Sequence, residues 1–299
     1  MNARERIGQF RRVVLGLLAR TAPCILLAPL LASGTLVTED FAYAPASYNE
    51  GGLSGKNGGS GWTTAWSTGT TRIEVTSGSL SYAGGGYGIV QETSSNKAGS
   101  GYGGEPRGLY RGLGPMTGGV WFSCLMFMEP TFTTPEVTLQ FNPTTDNNVY
   151  SANYVQLKGT SINVRYGGTD SLNVVTGLTQ GNAVLVVGQL EVGVGNDAIS
   201  LWVNPADLEE IGTPVFSQSG SDLGDNLFRI GLMGYRGSTS GAPRATMDAL
   251  RISDGGGDWA QAFFEVTGVM PFIPEPGAGM LLLAGLGALL AGRGHRRQP

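Results

Sequence analysis

The side chains that usually carry enzyme chemistry are scarce in this chain and widely spaced. It holds one histidine, His295, and two cysteines, Cys24 and Cys124. Residues 35–272 therefore cannot assemble a Ser-His-Asp or Cys-His catalytic group, or a zinc or iron site built on histidine. Cys124 lies within the apolar run 120–128, which is typical of a buried strand rather than of a nucleophile.

Carboxylates could still carry hydrolytic chemistry, because glycosidases place two of them roughly 5–10 Å apart across the bond that they cleave. In a β-sandwich, a spacing of the Glu-x-Asp-x-x-Glu type would serve this purpose. No such spacing occurs, and Glu129, Glu136, Glu191 and Asp197 are scattered along the chain. We therefore expect solvated carboxylates and a protein that is not an enzyme. A glycoside hydrolase or lyase is the less favoured alternative.

Calcium is the metal that the acidic loops could hold, because hard cations take several oxygen ligands in close array. The best clusters are Asp146 with Asn148, and Asp222 with Asp225. Neither has the spacing of a dedicated calcium loop, and Asn and Asp also form turns without any metal. We expect no cofactor, with a bound calcium ion as the alternative.

Aromatic residues in glycine-rich stretches suggest a different chemistry, the stacking of a flat ring on a sugar face. Trp62, Trp66, Tyr87 and Tyr102 lie in such stretches, and so does Tyr110. Exposed rings would make this a carbohydrate-binding surface, with loop Asn and Asp side chains supplying hydrogen bonds. The alternative is that the rings pack on the fold, because tryptophan is highly buried on average.

The elements that must position these residues are predicted to be β-strands. Glycine accounts for 49 residues, and runs rich in β-branched and aromatic residues recur between Gly, Asn, Asp and Pro clusters. Ten strands are predicted, at 71–75, 79–82, 119–128, 137–142, 154–158, 161–166, 183–194, 198–204, 228–235 and 246–253. The pattern indicates an all-β antiparallel sandwich or jelly roll, with one short helix at 258–265 capped by Asp258.

The first 34 residues have the order of a secretory signal peptide. Four arginines within the first twelve residues precede a largely apolar stretch at 13–31 and small residues at 32–34. An uncleaved anchor is the alternative. The sequence thus predicts a signal peptide at 1–34 and a β-sandwich ectodomain at 35–268.

The C-terminal end predicts a second targeting segment after a linker at 269–273. Pro274, Glu275 and Pro276 precede the uncharged apolar run 277–292, which would span about 24 Å as a helix. Three basic residues follow it: Arg293, Arg296 and Arg297. Under the positive-inside rule, these arginines would stay on the cytoplasmic side of a transmembrane helix at 277–292. A buried core helix is the alternative reading of such a short run.

Together, the Pro-Glu-Pro motif, the apolar segment and the terminal arginines resemble the PEP-CTERM sorting signal of Gram-negative bacteria, here over residues 274–297. The resemblance implies recognition by an exosortase, cleavage near the motif, and release or re-anchoring at the surface. It implies passage through the inner membrane and a final place in the cell envelope, at the cell surface or in the extracellular matrix. The membrane contact of the helix would then be transient. Such sorting systems often accompany exopolysaccharide production, which makes an exopolysaccharide a candidate partner.

A second resemblance concerns the predicted ectodomain. The segment 39–55, the glycine-rich stretch with Trp62 and Trp66, and the closing run 247–253 resemble bacterial exported proteins with a laminin-G or concanavalin-A-like jelly roll. This resemblance covers about residues 39–256. It implies the same all-β architecture that the strand pattern predicts.

Charge narrows the range of partners. Residues 35–272 contain 11 basic and 21 acidic residues, a net charge of −10. Nucleic-acid binding needs a basic patch, so we expect no nucleic-acid partner. The sequence therefore predicts an exported, non-catalytic structural or adhesive protein of the envelope or exopolysaccharide matrix. A lectin-like carbohydrate-binding module is the alternative.

Overall fold

A computed structural model describes most of the chain between Gly34 and Phe272. The described residues are 34–47, 50, 52–68, 73–89, 96–100, 107–130, 135–143, 153–168, 172–235 and 245–272. The predicted sorting motif and membrane segment lie outside them, as does the predicted signal peptide except for Gly34. No helix within these ranges is long and apolar enough to cross a membrane.

Strands make up nearly all of the regular structure in the described ranges. They are β1 (Leu36–Glu39), β2 (Ile73–Ser77), β3 (Asn96–Ser100), β4 (Arg107–Met116), β5 (Gly118–Met128), β6 (Glu136–Phe141), β7 (Asn153–Lys158), β8 (Ser161–Arg165), β9 (Leu172–Val175), β10 (Ala183–Val192), β11 (Asp197–Val203), β12 (Phe216–Ser221), β13 (Leu227–Tyr235) and β14 (Ala245–Ser253). A 3₁₀ turn at Gly255–Gly257 and the helix α1 (Trp259–Thr267) follow β14.

The strands pair into two antiparallel sheets. One has eight strands in the order β12-β11-β10-β5-β14-β3-β2, and β1 pairs with the opposite end of β14 from β3. The other has six strands in the order β4-β13-β6-β7-β8-β9. Hydrogen bonds between neighbouring strands satisfy the backbone of each sheet, so stability depends on how the two sheets pack.

The main core lies between the sheets and is built from every second residue of their strands. The inward residues of β8 are buried in it, as their alternation predicted. Phe122 of β5 contacts Phe141 of β6 across the interface, with ring centroids 5.0 Å apart. Gly188 leaves room for the Phe122 ring, because a Cβ there would lie 2.2 Å from it. Cys124 is fully buried in the same core. The predictions of a sandwich and of a buried Cys124 are confirmed.

A second, smaller hydrophobic cluster covers the outer face of the eight-stranded sheet. Trp121 stacks on Trp202 with ring centroids 5.5 Å apart, and Phe263 of α1 meets Trp121 edge-on at 5.0 Å. The Asp258 side chain accepts hydrogen bonds from two backbone N–H groups of the first turn of α1, which confirms the predicted helix and its cap. The helix thus forms part of a third layer on this sheet.

Loop residues complete this third layer. Leu80, Tyr87 and Leu208 are buried in the same cluster, and Tyr82 packs against it. The loop 79–89 is tied to α1 by the Gly88 N–H, which donates to the carbonyl of the last helical residue at 2.9 Å. The helix and this loop therefore cover part of the outer face of this sheet and shield that part from solvent.

Nine of the ten predicted strands are present, and the strand predicted at 79–82 is wrong. Those residues form an extended loop, because the Leu80 N–H donates to the Asp248 side chain at 2.8 Å instead of to a strand. The sequence did not predict β1, β3, β4, β9 or β12. These strands are short or rich in Gly and Ser, which lowers their apparent strand propensity.

The predicted boundary between ectodomain and linker does not mark a break in the fold. Val269 is buried in the second cluster, and the Phe272 N–H donates to the Glu209 carbonyl at 2.7 Å. Residues 269–272 are held against the domain because these contacts bury Val269 and fix the backbone of Phe272. The part of the predicted linker that the structure describes is therefore a docked segment.

Candidate functional site

The aromatic residues proposed for sugar stacking occupy different environments. Trp66 is 1% exposed and Tyr87 is 9% exposed, so the expectation that their rings face solvent is wrong. Trp62 is half-buried, and Tyr102 lies outside the described residues. The packing alternative holds for Trp66 and Tyr87, because both rings belong to hydrophobic clusters of the fold.

The two tryptophans lie over a buried ion pair that sequence reasoning missed. Glu39 of β1 is fully buried, and its carboxylate accepts hydrogen bonds from the Phe41 N–H at 3.0 Å and the Tyr43 hydroxyl at 2.9 Å. It also accepts from the Trp66 indole N–H at 3.1 Å and from Arg111 at 2.5 Å. Four donors thus converge on one carboxylate that is removed from water.

Arg111 joins the two sheets through this contact, because Glu39 belongs to the eight-stranded sheet and Arg111 to β4 of the other. Its Nε–H donates to the Thr64 carbonyl and its Nη2 group donates to the Asn57 side chain, both at 2.7 Å. The guanidinium carbon lies 4.6 Å from the centre of the Trp62 ring, which partly covers it. The contacts of Asn57, Thr64 and Trp66 with this ion pair tie the loop 52–68 to the sandwich.

Electrostatics agree with an anchoring role for this cluster. Burial raises the pKa of Glu39, while the Tyr43 hydroxyl, the Arg111 guanidinium and the Trp66 indole oppose that shift. Because protein donors already occupy the carboxylate, it offers no free acceptor to a ligand. Removing a partner would leave a buried charge, which is far more costly than the pair itself.

An open groove lies elsewhere, at one flank of the third layer. It encloses about 480 Å³ between the loop 79–84 and the turn 181–183 that leads into β10. Its lining includes side chains from four separate stretches of chain: Ser79, Leu80, Ser81, Tyr82, Lys97, Phe127 and Asn182. The volume falls within the range of small-molecule sites, which is about 300–1,000 Å³.

The groove combines aromatic rings with hydrogen-bonding groups. Tyr82 is half-buried and meets Tyr87 edge-on, with ring centroids 6.1 Å apart, so the buried ring supports the accessible one. The Lys97 ammonium lies 5.5 Å from the centre of the Phe127 ring. Asn182 and Ser81 are exposed at the rim of the groove. Rings flanked by hydroxyl, amide and ammonium groups are suited to a polar ligand with apolar faces.

A buried carboxylate holds one wall of this groove in place. Asp248 of β14 accepts hydrogen bonds from the Leu80 N–H at 2.8 Å and the Ala249 N–H at 2.7 Å. Burial raises the pKa of Asp248 to about 7, with a smaller contribution of the same sign from Asp40. The two N–H groups and Lys97 oppose the shift.

The backbone next to this carboxylate is strained. Ala249 has φ +50°, a left-handed conformation that residues with a Cβ avoid. It lies where the register of β14 against β5 shifts, between Asp248 and Arg251. The irregularity turns the Asp248 side chain toward the groove wall, as bulges often do near binding sites.

The other carboxylates singled out from the sequence lie on or beside different strands. The expectation of solvated carboxylates is wrong for Glu136 and Asp197, because both are buried. Glu136 begins β6 and pairs with Lys158 at 3.2 Å. Glu191 of β10 accepts a hydrogen bond from Gln189 at 2.6 Å and is exposed, and Glu129 follows β5.

Asp197 at the start of β11 is also a buried carboxylate, and its hydrogen bonds hold two loops together. Its side chain accepts hydrogen bonds from the Gly193 N–H at 2.9 Å and the Leu223 N–H at 2.5 Å. It therefore fixes the hairpin between β10 and β11 to the loop after β12.

The calcium candidates are only partly within the described ranges. Asp146 and Asn148 lie outside them. Asp222 accepts a hydrogen bond from the Gly224 N–H at 2.7 Å, which is the turn geometry that Asp residues form without a metal. Within the described ranges, no three or more His, Cys, Asp or Glu side chains lie close enough together to hold a metal ion. This applies to Asp222 and Asp225 as well.

The sequence matches no protein-family model and no curated protein. Among solved structures, a protein of unknown function from Shewanella oneidensis MR-1 is similar at a TM-score of 0.41 and 10% identity, over 75% of this chain and 87% of that chain. The carbohydrate-binding module CBM66 from Bacillus subtilis is similar at a TM-score of 0.31 and 8% identity, over 60% of this chain and 92% of that module. The Caenorhabditis elegans galectin LEC-6 is similar at a TM-score of 0.31 and 9% identity, over 48% of this chain and 88% of the galectin. At these values the similarities carry no argument about ligand or activity.

The groove could not be located from the sequence because its lining is contributed by residues far apart in the chain. Lys97, Phe127 and Asn182 share no spacing pattern, and only the run 79–86 gave a local signal. That run ends in three consecutive glycines, and Gly85 adopts φ +61°. A turn after 79–82 was therefore foreseeable, whereas its contact with β3 and β5 was not.

Proposed function

We propose that this chain is an exported, non-catalytic carbohydrate-binding protein of the cell envelope or exopolysaccharide matrix. In this proposal the groove lined by Tyr82, Lys97, Phe127 and Asn182 binds the glycan. The observation that carries it is the placement of accessible aromatic rings beside amide, hydroxyl and ammonium groups in one groove of about 480 Å³. The proposal also assigns the sandwich to the concanavalin-A and laminin-G-like jelly rolls that the sequence resembles.

The chemistry of a sugar matches both kinds of wall. A pyranose ring has C–H groups on its faces, which pack on aromatic rings, and hydroxyl groups on its edges, which need hydrogen-bond partners. Tyr82 and Phe127 supply the rings, and Asn182 and Ser81 supply the partners. This site replaces Trp66 and Tyr87 as the stacking surface, because those two rings are buried.

A non-catalytic role is supported by how the buried carboxylates are used. Glu39 pairs with Arg111, Glu136 pairs with Lys158, and Asp248 binds two backbone N–H groups. Among the residues that the structure describes, none of those lining the groove is acidic. A glycosidase would require two carboxylates facing its substrate.

The targeting segments support the proposed location and partners. Export would follow from the signal-peptide pattern at 1–34, and surface sorting by an exosortase from the PEP-CTERM resemblance at 274–297. An acidic, glycan-binding domain delivered in this way would attach to exopolysaccharide rather than to nucleic acid. Its structural or adhesive role would be exerted through the groove.

Affinity electrophoresis and calorimetry test this proposal. The native protein is run through gels containing bacterial exopolysaccharides, pectin, alginate or xylan, and Kd is measured for any polysaccharide that retards it. We expect Tyr82→Ala to weaken binding at least tenfold, because it removes the accessible ring. Tyr110→Ala, which removes the same residue type from the six-stranded sheet, should leave Kd unchanged.

Three results would contradict the proposed glycan-binding, non-catalytic function. Retardation by none of the polysaccharides, or equal Kd values for Tyr82→Ala and the parent, would remove the groove as the glycan site. Release of reducing ends from a bound polysaccharide would contradict the non-catalytic assignment. Each variant is checked for an unchanged melting temperature before its binding is compared.

A further inference from the structure

Exposed apolar side chains surround the point where the described chain ends. Phe264 is 40% exposed, Met270 is 56% exposed and Phe272 is 65% exposed. Phe264 and Met270 line one open cavity of about 640 Å³ together with Val269, Asp207 and residues of the neighbouring loops. We call Phe264, Met270 and Phe272 the C-terminal apolar surface.

This surface is presented by a fixed backbone. Gly268 ends α1 with φ +73°, and its N–H donates to the Phe264 carbonyl at 2.7 Å. A Cβ at Gly268 would lie 2.6 Å from the backbone of Gly88, so the two segments pack closely at this point. The Phe272 N–H is bound to the Glu209 carbonyl. The apolar side chains therefore stay at the surface because their backbone is fastened beneath them.

The sequence beyond this surface sets what can approach it. Only residues 273–276 separate Phe272 from the apolar run 277–292. Five Cα steps extend to about 18 Å at most. The headgroup region of one leaflet accounts for roughly 5–8 Å between the hydrocarbon core and water. If the run 277–292 spans a membrane as the sequence predicts, so short a tether would hold this surface next to the lipid headgroups.

We propose that the C-terminal apolar surface docks on the lipid bilayer while the membrane segment 277–292 is inserted. The inference rests on the predicted membrane segment and is independent of the glycan groove. The tether supplies a high effective concentration, so the modest apolar area of three side chains suffices. Asp207 and Glu209 flank the cavity and repel anionic headgroups, which makes a zwitterionic lipid surface the favoured occupant.

Lipid quenching of a fluorescent label tests this docking. The full chain with Cys24→Ser and Met270→Cys is labelled with bimane, because Cys124 is buried and unreactive in the folded state. It is reconstituted into phosphatidylcholine vesicles that contain dibrominated phosphatidylcholine. The matched control carries the label at Val194→Cys, since Val194 is 94% exposed on the turn between β10 and β11.

We expect brominated lipid to quench the label at position 270 at least twofold and to leave the label at 194 unchanged. Replacing both Phe264 and Phe272 with serine should reduce quenching at 270 to the level at 194. Equal quenching at 270 and 194 would overturn the proposal. A blue-shifted but unquenched label at 270 would also overturn it, because a second copy or the chain's own tail would then cover the surface. Extraction of the chain from the vesicles at alkaline pH would refute the inserted state on which docking depends.

Discussion

Glu39 and Asp248 are both buried carboxylates that hold a connecting segment against the sandwich, but their charges are met in different ways. Glu39 faces Arg111 and three further donors, and it anchors the loop that carries Trp62 and Trp66. Asp248 accepts hydrogen bonds from two backbone N–H groups, and it anchors the wall of the groove. Glu39 is bonded directly to a guanidinium, whereas the charge of Lys97 only weakly opposes the raised pKa of Asp248.

The difference indicates how rigid each region can be. A compensated ion pair between the two sheets is lost only when the sandwich opens, so the Glu39 region is part of the global fold. Asp248 exists in two protonation states near neutral pH, because burial raises its pKa to about 7. The wall of the groove thus rests on an interaction whose strength changes with conditions. Binding regions are commonly drawn from the less stable parts of a fold.

The largest effect is expected from Arg111→Met, which breaks the compensated pair. Glu39 would remain buried without its cation, so the free energy of unfolding should fall by about 3–5 kcal/mol. Urea denaturation followed by tryptophan fluorescence measures this loss. The double variant Glu39→Gln with Arg111→Met is the control, because it removes both charges and should recover part of the stability. A cost below 1 kcal/mol for Arg111→Met would show that the pair does not anchor the sheets.

The second prediction concerns Asp248, which has no guanidinium bonded to it as Glu39 has. Because the folded-state pKa of Asp248 lies above its unfolded value, the native state binds more protons between about pH 4 and pH 7, and its contribution to stability falls as pH rises through that window. Asn at this position does not titrate. The free energy of unfolding of the parent, minus that of Asp248→Asn, should therefore fall by roughly 3 kcal/mol from pH 4 to pH 8. Parallel stability profiles for the two proteins would contradict the raised pKa.

A third prediction separates the two tryptophans of the Glu39 region. Trp66→Phe deletes an indole N–H that binds the buried carboxylate, and a hydrogen bond to a charged group contributes about 1.5–3 kcal/mol. Trp62→Phe deletes a hydrogen bond to the Thr38 carbonyl at a half-buried position, so it should cost less than about 1 kcal/mol. Equal costs from chemical denaturation would mean that the carboxylate contact adds nothing beyond packing.

The smallest effect is expected at the bulge beside Asp248. Ala249→Gly relieves the left-handed backbone at φ +50°, and this gain exceeds the added flexibility of glycine in the unfolded chain. We expect a stabilisation of about 0.5–1 kcal/mol in urea denaturation. Ala98→Gly, in the regular pairing of β3, should instead be destabilising. A loss of stability in Ala249→Gly would show that the bulge is not strained.

Sequence reasoning recovered the parts of the fold that depend on local pattern. The apolar run of β5, the alternation of β8 and the Asp258 cap of α1 are each written into adjacent residues. It missed β4, whose glycines and inward-facing Arg111 break the expected alternation.

The anchoring roles of Glu39 and Asp248 could not be predicted from the sequence for a different reason. Glu39 and Arg111 are 72 residues apart, and Asp248 meets a backbone N–H 168 residues away. Such contacts are set by sheet topology, which no local window contains. The same limit applies to the groove, whereas the packing alternative for Trp66 followed from the average burial of tryptophan.

The buried thiol of Cys124 can be used to measure how often the folded protein opens. Burial raises the pKa of the Cys124 thiol to about 12, so on the order of one thiol in ten thousand is ionised at pH 8, and the side chain is sealed between the sheets. Alkylating reagents can reach it only when the sandwich opens. The alkylation rate of Cys124 therefore reports how often the two sheets separate, without an engineered label.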